Sequence, residues 1–265
     1  MNQKMAVKKS DILLSFPVST GTYTEMLNEI VDRSHAGISS SVCIANVHMI
    51  VTARQDDNYA QIIKRADLVT PDGLPLTWAM RLLLGIKQER VAGMDLLPDL
   101  IHAAETSAIP VFFYGGTPEI LETLRKYLAV KFPLLKIAGS YSPPFRTLTA
   151  EEENEIAFII NQSGAKLVFV VLGCPKQEKW MDVMKNKLSA VMIGVGGALP
   201  VLVGMQKRAP VWMQKTGLEW FYRLCQEPKR LFKRYAVTNS LFILLVAKEF
   251  IRLKIMRQKQ HFSRL

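Results

Sequence analysis

The chain has 265 residues, of which 49% are hydrophobic, and this suits one large α/β domain or one domain with an appendage. Three widely spaced cysteines, with no CxxC pair and no Cys/His cluster, argue against a disulfide framework and a zinc site and indicate a reduced, cytosolic protein. No apolar run reaches the roughly 18 residues of a membrane span, and the N-terminus lacks a signal-peptide pattern.

The positive charge is confined to the end of the chain. The net charge is +11, and from Met205 onward there are 14 basic and 3 acidic residues, so the 20 basic and 20 acidic residues before it cancel. A basic tail of this kind predicts an anionic partner, which could be a membrane surface, a nucleic acid or a phosphate ligand.

Apolar, β-branched runs alternate with segments of helical spacing along the first 204 residues. The predicted strands are 41–46, 66–70, 110–115, 134–141, 166–173 and 190–196, and the predicted helices are 48–64, 74–84, 94–106, 118–130, 151–162 and 177–188. This alternation predicts a parallel sheet with helices on both faces. We therefore predict a Rossmann-like α/β body over residues 1–204 and a basic helical appendage over 205–265, which Pro228 divides into two helices.

Polar or glycine-rich residues follow five of the predicted strands. They are Asn46, the Thr70–Gly73 turn, Gly115-Gly116, the segment 173–178 and the segment 194–197. In open parallel sheets, ligands bind at the carboxyl ends of the strands, and free N–H groups at helix starts favour phosphate. Any one loop is better explained as a tight connection, but the five together predict a phosphate-binding site.

Several motifs of other enzyme classes are broken or missing. GVGG at 194–197 lacks the third glycine of a dinucleotide fingerprint, because position 199 is leucine, and no GxxxxGK[ST], GxSxG or HExxH sequence occurs. There is no DxD pair to hold a diphosphate through a metal, and Asp56 and Asp57 are predicted on the solvated face of a helix. A bound diphosphate would instead be neutralised by loop amides and by Arg or Lys side chains.

Long motifs across residues 40–235 resemble the WecG/TagA/CpsF glycosyltransferases, glycosyltransferase family 26. The matching segments, in order, are ADLVTPDGLPLTWAMRLLLG, ERVAGMDLLPDL, VFFYGGTPEIL, VLGCPKQEKWM and GVGGALPVLVGMQKRAPVWMQKTGLEWFYRLCQEPKRLFKRY. The family transfers a sugar, with inversion, from a UDP donor to a sugar on a polyprenyl diphosphate in bacterial cell-surface polysaccharide synthesis. The resemblance implies a hexosyltransferase with a UDP-sugar donor, and the missing DxD pair predicts that it needs no metal ion or other cofactor. N-acetylmannosamine, its uronic acid and glucose remain open as the transferred sugar.

The resemblance also implies roles for individual residues. Asp72 matches the proposed general base, although an Asx-turn residue without chemistry would have the same pattern. The implied substrate-binding residues are Asn46, Arg90 and Gln177 in the body, and Arg223 and Arg230 with Lys233 or Arg234 in the appendage. Thr70, Gly115, Gly116, Gly196 and Gly197 join them as substrate-binding candidates in the strand-end loops. Arg90 could alternatively pair with Glu89 or Asp95, and Ala198-Leu199-Pro200 stands where family members often carry an acidic residue.

The basic tail supports two interpretations of the appendage. Phe242, Val246, Phe250 and Leu253 fall near helical spacing between basic residues, which predicts docking on an anionic membrane at the inner face of the cell membrane. Alternatively, this row packs on the body and the charge faces water. A nucleic-acid-binding α/β protein with a basic arm is the competing class, but it leaves the strand-end loops without a role.

Overall fold

The computed structural model describes residues 10–262, and the side chains of residues 10–256. Its strands, in chain order, are β1 Ser10–Leu13, β2 Phe16–Ser19, β3 Ser40–Ala45, β4 Leu68–Pro71, β5 Val111–Gly115, β6 Ile137–Tyr141, β7 Leu167–Val171 and β8 Val191–Gly194. Strands β3 to β8 form one six-stranded sheet in the order β4-β3-β8-β7-β5-β6, and all its pairs are parallel. The predicted parallel sheet is confirmed.

Helices connect the strands and form the appendage. In the body they are α1 Tyr23–Ala36, α2 Val47–Gln55, α3 Asp57–Arg65, α4 Leu74–Leu84, α5 Gly93–Thr106, α6 Pro118–Lys131, α7 Ala150–Gln162, α8 Lys176–Met184 and α9 Ala198–Leu202. The appendage contains α10 Val211–Thr216, α11 Glu219–Gln226 and α12 Pro228–Phe262. Within residues 10–262, no helix combines the length and the hydropathy that crossing a bilayer requires.

The two faces of the sheet carry alternate side chains of the same strands. On β7, Leu167 and Phe169 pack with α1, α5, α6 and α9, whereas Val168 and Val170 pack with α2, α3, α4, α7 and α8. Both sets are buried. Because the side-chain period of a strand is two, a strand covered on both faces must be apolar at every position, which explains the unbroken runs in the sequence.

The N-terminal hairpin and α1 were not among the sequence predictions. Strands β1 and β2 form a separate antiparallel pair, and the backbone N–H of Val69 donates to Ser19 Oγ at 3.0 Å, which attaches the hairpin beside β4. Helix α1 begins with a capping box between Thr22 and Glu25. The hairpin extends the body on the β4 side of the sheet, whereas α1 packs against α5 and β8 on one face of it.

The prediction of one helix over 48–64 was wrong. Asp56 ends α2 and begins α3, and its Oδ1 accepts a hydrogen bond from the backbone N–H of Tyr59 at 3.0 Å. Its φ of −132° and ψ of 103° are extended, as an N-cap requires. Asp56 is therefore a helix cap, not a residue of a continuous solvated helix face.

The appendage packs on the body through α12. Pro228 begins α12, as predicted, but Gly217, at φ +78°, also separates α10 from α11. Leu231 and Phe242 are buried, and Phe242 with Val246 and Leu253 belongs to the apolar cluster around α2, α4 and β3. Three of the four residues predicted to face a membrane therefore pack on the body, where they cover apolar surface left open by α2 and α4, whereas Phe250 is 42% exposed.

Candidate active site

Asp72 lies at the carboxyl end of β4, where the chain turns into α4. Its backbone N–H donates to Ala45 O at 2.7 Å, which extends the β3–β4 ladder by one residue. Gly73 follows at φ +95° and is the N-cap of α4, and Pro75 lies in the first turn of that helix. The left-handed region is accessible to glycine at little cost, so this turn holds the Asp72 carboxyl at the mouth of the sheet.

The segment before α5 brings Arg90 to the same position. Val91 N–H donates to Pro71 O at 2.9 Å, and the Thr70 hydroxyl donates to Val91 O at 3.4 Å. Thr70 is fully buried. From this position it supports the strand end.

A four-membered charge network lies beside Asp72. Arg90 donates through Nη2 to Asp95 Oδ2 and through Nη1 to Glu219 Oε2, each at 2.9 Å. Arg208 donates to Asp95 Oδ1 at 2.5 Å, and its Nε lies 3.8 Å from Glu219 Oε1. The pairing of Arg90 with Asp95, left open by the sequence, is thus present, while Glu219 and Arg208 reach it from the appendage.

The surroundings of Asp72 disfavour its charged form, compared with an aspartate in water. Burial in the crevice, reinforced by the Glu219 carboxylate, raises the pKa of Asp72 to about 7, although Arg90 and Arg223 act in the opposite direction. A carboxyl with a pKa in this range can take up a proton from a substrate and release it again at physiological pH.

Arg223 of α11 lies over the glycine loop that follows β8. A Cβ added to Gly197 would lie 2.9 Å from Arg223 Nη2, so the guanidinium lies directly against this glycine and a larger residue would displace it. Arg208, Glu219 and Arg223 line a small cleft between α9 and α11. The structure therefore brings together Asp72, Arg90, Gly197 and Arg223.

The other predicted arginines lie further along the appendage. Arg230 is paired with Glu227 through Nε and Nη2, and Lys233 is exposed. Arg234 lies near His48 of α2, whose pKa is lowered by burial and by the Arg234 charge. His48 Nδ1 and Arg234 Nε are both buried without a hydrogen-bond partner.

Asn46 and the Gly115-Gly116 pair occupy different parts of the sheet edge. Asn46 caps α2, and its Oδ1 accepts from Met49 N–H at 3.1 Å. A Cβ on Gly115 would lie 2.6 Å from Val171 O, so this glycine is required for packing on β7. Strand β5 is four positions from β4, roughly 19 Å at the usual strand spacing, so the structure does not bring the pair to Asp72.

Gln177 and Glu178 form a buried brace behind the loops after β7 and β8. Gln177 is only 5% exposed, accepts from Gly173 N–H at 3.1 Å and donates to Glu178 Oε1 at 2.7 Å. A Cβ on Gly194 would lie 2.6 Å from Gln177 Nε2. Gln177, predicted to line the site, is placed so that it fixes the two loops to each other.

Tyr59 completes this brace, and its removal should destabilise the fold. The Tyr59 hydroxyl donates to Glu178 Oε2 at 3.1 Å and lies 3.2 Å from Cys174 Sγ. We expect Tyr59→Phe to lower the free energy of unfolding by about 1–3 kcal/mol, because buried Glu178 loses a donor. Urea denaturation measures the loss. Tyr23→Phe is the control and should cost less, because its partner Asp99 is exposed.

Cys174 lies in the same buried cluster. Burial and the nearby Glu178 carboxylate raise the pKa of the Cys174 thiol to about 12, so the thiolate needed for nucleophilic attack is disfavoured. The sequence predictions did not include Tyr59, Glu178, Arg208 or Glu219 in the site. No local spacing indicates them, because each contacts the site or its supports through the tertiary fold.

The fold and the site define an enzyme of the group-transfer class. A parallel sheet presents a carboxyl of raised pKa beside a glycine loop that an arginine covers, which suits a phosphorylated donor. The sequence profile described as "Glycosyl transferase WecG/TagA/CpsF family" matches residues 12–256, and the chain belongs to this family. It is a glycosyltransferase.

Two relatives carry the same functional name, N-acetylglucosaminyldiphosphoundecaprenol N-acetyl-beta-D-mannosaminyltransferase. The protein from Bacillus subtilis (strain 168) is 32% identical over 223 residues, which cover 83% of this chain and 82% of the relative. The protein from Bacillus spizizenii (strain ATCC 23059 / NRRL B-14472 / W23) is 33% identical over 205 residues, or 77% and 78% of the two chains.

Proposed function

We propose that the protein transfers N-acetylmannosamine from a UDP-linked donor to an N-acetylglucosamine carried on a polyprenyl diphosphate, with inversion at the transferred sugar. The names of the two relatives support this acceptor and this sugar over the uronic acid and glucose. The glycosyltransferase family also favours this function over the alternative of a nucleic-acid-binding protein with a basic arm.

The observation that carries the proposal is that Asp72 and Arg223 lie near each other at one edge of the sheet. The Asp72 carboxylate takes the proton of the acceptor hydroxyl while the oxygen of that hydroxyl attacks the anomeric carbon of the donor. The bond between that carbon and the diphosphate oxygen breaks, and UDP leaves with the electron pair. Arg223 and the amides of the Gly196-Gly197 loop stabilise the charge that develops on the diphosphate.

A donor screen tests the transferred sugar. The full chain is incubated with a short polyprenyl diphosphate that carries N-acetylglucosamine, and with one of three donors: UDP-N-acetylmannosamine, its uronic acid or UDP-glucose. We expect UDP release and a product heavier by one N-acetylhexosamine with the first donor, at a rate at least 10-fold above the others. A faster reaction with another donor would contradict the proposed sugar, and no reaction with any donor would contradict the function.

We further propose that the reaction needs no metal ion. The charges that face the Gly197 loop come from arginine, which can pair with a diphosphate directly. We expect turnover in millimolar EDTA to stay within twofold of turnover in millimolar Mg²⁺. Loss of activity in EDTA that added Mg²⁺ restores would show that a metal takes part.

The outer face of α12 is proposed to contact an anionic membrane surface. Val237, Leu244 and Ile251 lie seven residues apart and therefore share one face of the helix. The side chain of Leu244 is 64% exposed and that of Ile251 is 57% exposed. Lys248 lies between them, and the segment from Met205 onward carries 14 basic residues. Exposed apolar side chains among basic ones are typical of helices that lie on anionic bilayers, where a lipid-linked acceptor would be found.

Serine substitutions on this face test the membrane contact. We expect Leu244→Ser with Ile251→Ser to weaken sedimentation with vesicles that contain anionic lipid by at least about 10-fold, because two apolar side chains no longer insert. The matched control is Val130→Ser with Leu134→Ser, at residues that are 77% and 79% exposed on the body. Equal sedimentation of both variants and the parent chain would remove the proposed contact.

A further inference from the structure

Glu219 is the residue through which the appendage reaches the general base. It is the first residue of α11, and its Oε2 accepts from Arg90 Nη1 at 2.9 Å, across 129 residues of sequence. Both Arg90 and Glu219 keep only 18% of their side-chain surface exposed. The contact is therefore a largely buried, charge-assisted bond between the appendage and the body, next to Asp72.

The second terminal nitrogen of Arg90 also donates a hydrogen bond to a carboxylate. Nη2 donates to Asp95 Oδ2 at 2.9 Å, so the two terminal nitrogens of the guanidinium point at Glu219 and Asp95, and neither is bonded to Asp72. An arginine paired directly with Asp72 would stabilise the carboxylate and weaken it as a base. Glu219 and Asp95 thus divert a nearby cation from the base.

We propose that Glu219 is a positioning residue of the transfer reaction. From the appendage, it holds Arg90 away from Asp72, so that Asp72 can act as the general base. The proposal rests on the role of Asp72 under the proposed function. It implies that the base is fully competent only when α11 is docked on the body, so Glu219 couples appendage docking to proton transfer.

The charged groups around Asp72 come from two directions. Arg90 and Asp95 approach from the segment before α5 and its first turn, and Glu219 and Arg223 approach from α11. Arg208 is bonded to Asp95, and Tyr23 of α1 lies near both of them. Glu219 supplies negative charge from the appendage to this set, and its Oε1 is buried without a hydrogen bond opposite Arg208 Nε.

Direct titration of Asp72 tests the proposal without relying on turnover. The carboxyl carbons of aspartate are labelled with ¹³C in the full chain, and the Asp72 signal is assigned by its loss in Asp72→Asn. We expect Glu219→Gln to lower the pKa of Asp72 by about one unit or more, because the negative charge of Glu219 is lost and Arg90 can then turn toward Asp72. Glu219→Asp, which keeps the charge, should retain most of the parent value.

Glu249→Gln is the matched control, because Glu249 pairs with Arg252 on α12 and its loss should leave the Asp72 titration unchanged. In kinetic assays, the acidic limb of the pH profile of kcat/KM should shift to lower pH in Glu219→Gln, by the same amount as the pKa of Asp72. An Asp72 pKa that is the same in the parent chain and in Glu219→Gln would overturn the proposal. If the parent chain turns over no UDP-sugar, the proposed function fails, while the titration still decides the role of Glu219.

Discussion

Asp72→Asn should lower turnover by about 10²–10⁴, the usual loss when a general base is removed. The amide matches the carboxyl in shape but cannot accept the proton of the acceptor hydroxyl. The measurement is the steady-state rate of UDP release with saturating donor and acceptor. In the parent enzyme, kcat/KM should rise as the pH increases through about 7 and level off above it, because the pKa of Asp72 is raised to about 7.

A stability measurement shows whether Asp72→Asn acts on the chemistry alone. A carboxyl whose pKa is raised by folding favours the folded state at low pH, and this contribution is lost as the pH rises from the unfolded value of about 3.9 through the folded value. At pH 8, Asp72→Asn should therefore be at least as stable as the parent chain. Near-normal turnover in this variant would show that another group deprotonates the acceptor.

Arg223→Ala should lower kcat/KM by about 10²–10³, comparable to the removal of one donor from a site that stabilises developing negative charge. The guanidinium lies against Gly197 and near Asp72, where a departing diphosphate would sit. The affinity for UDP, measured by calorimetry, should fall in the same variant, because UDP carries the same diphosphate.

Arg252→Ala provides the matched control for Arg223. Arg252 is also an appendage arginine, but it pairs with Glu249 on the exposed part of α12. We expect its removal to leave both UDP affinity and turnover within twofold of the parent values. If Arg223→Ala bound UDP as tightly as the parent chain, the diphosphate would have to lie elsewhere in the crevice.

The sheet could be predicted from the sequence because its signals are local. Continuous apolar runs such as 166–173 mark strands covered on both faces, and each of the six predicted strands is present in the sheet. The hairpin of β1 and β2 was missed, since Asp11 and Pro17 interrupt its short apolar runs. The break at Asp56 was missed because the apolar spacing continues across it, and a single cap was enough to end one helix and begin the next.

The candidate site could be predicted only in part. Strand-end position identified Asp72, and the family resemblance identified Arg223, which the structure places near it. Gly115 lies at the end of β5, four positions from β4, and Thr70 is buried, because order within the sheet and packing decide which strand-end residues meet. Gln177 was predicted to line the site, and its buried amide supports the loops after β7 and β8, a position that spacing does not reveal.

What the sequence determined by itself is the layered α/β body and the turn that presents Asp72, since strand periodicity and turn chemistry act between neighbouring residues. Only the tertiary structure decided which charged residues surround that carboxyl. Glu219 meets Arg90 because burial of Leu231 and Phe242 docks the appendage on the body. Electrostatic effects on a base depend on distances in space, and residues far apart in the chain set those distances here.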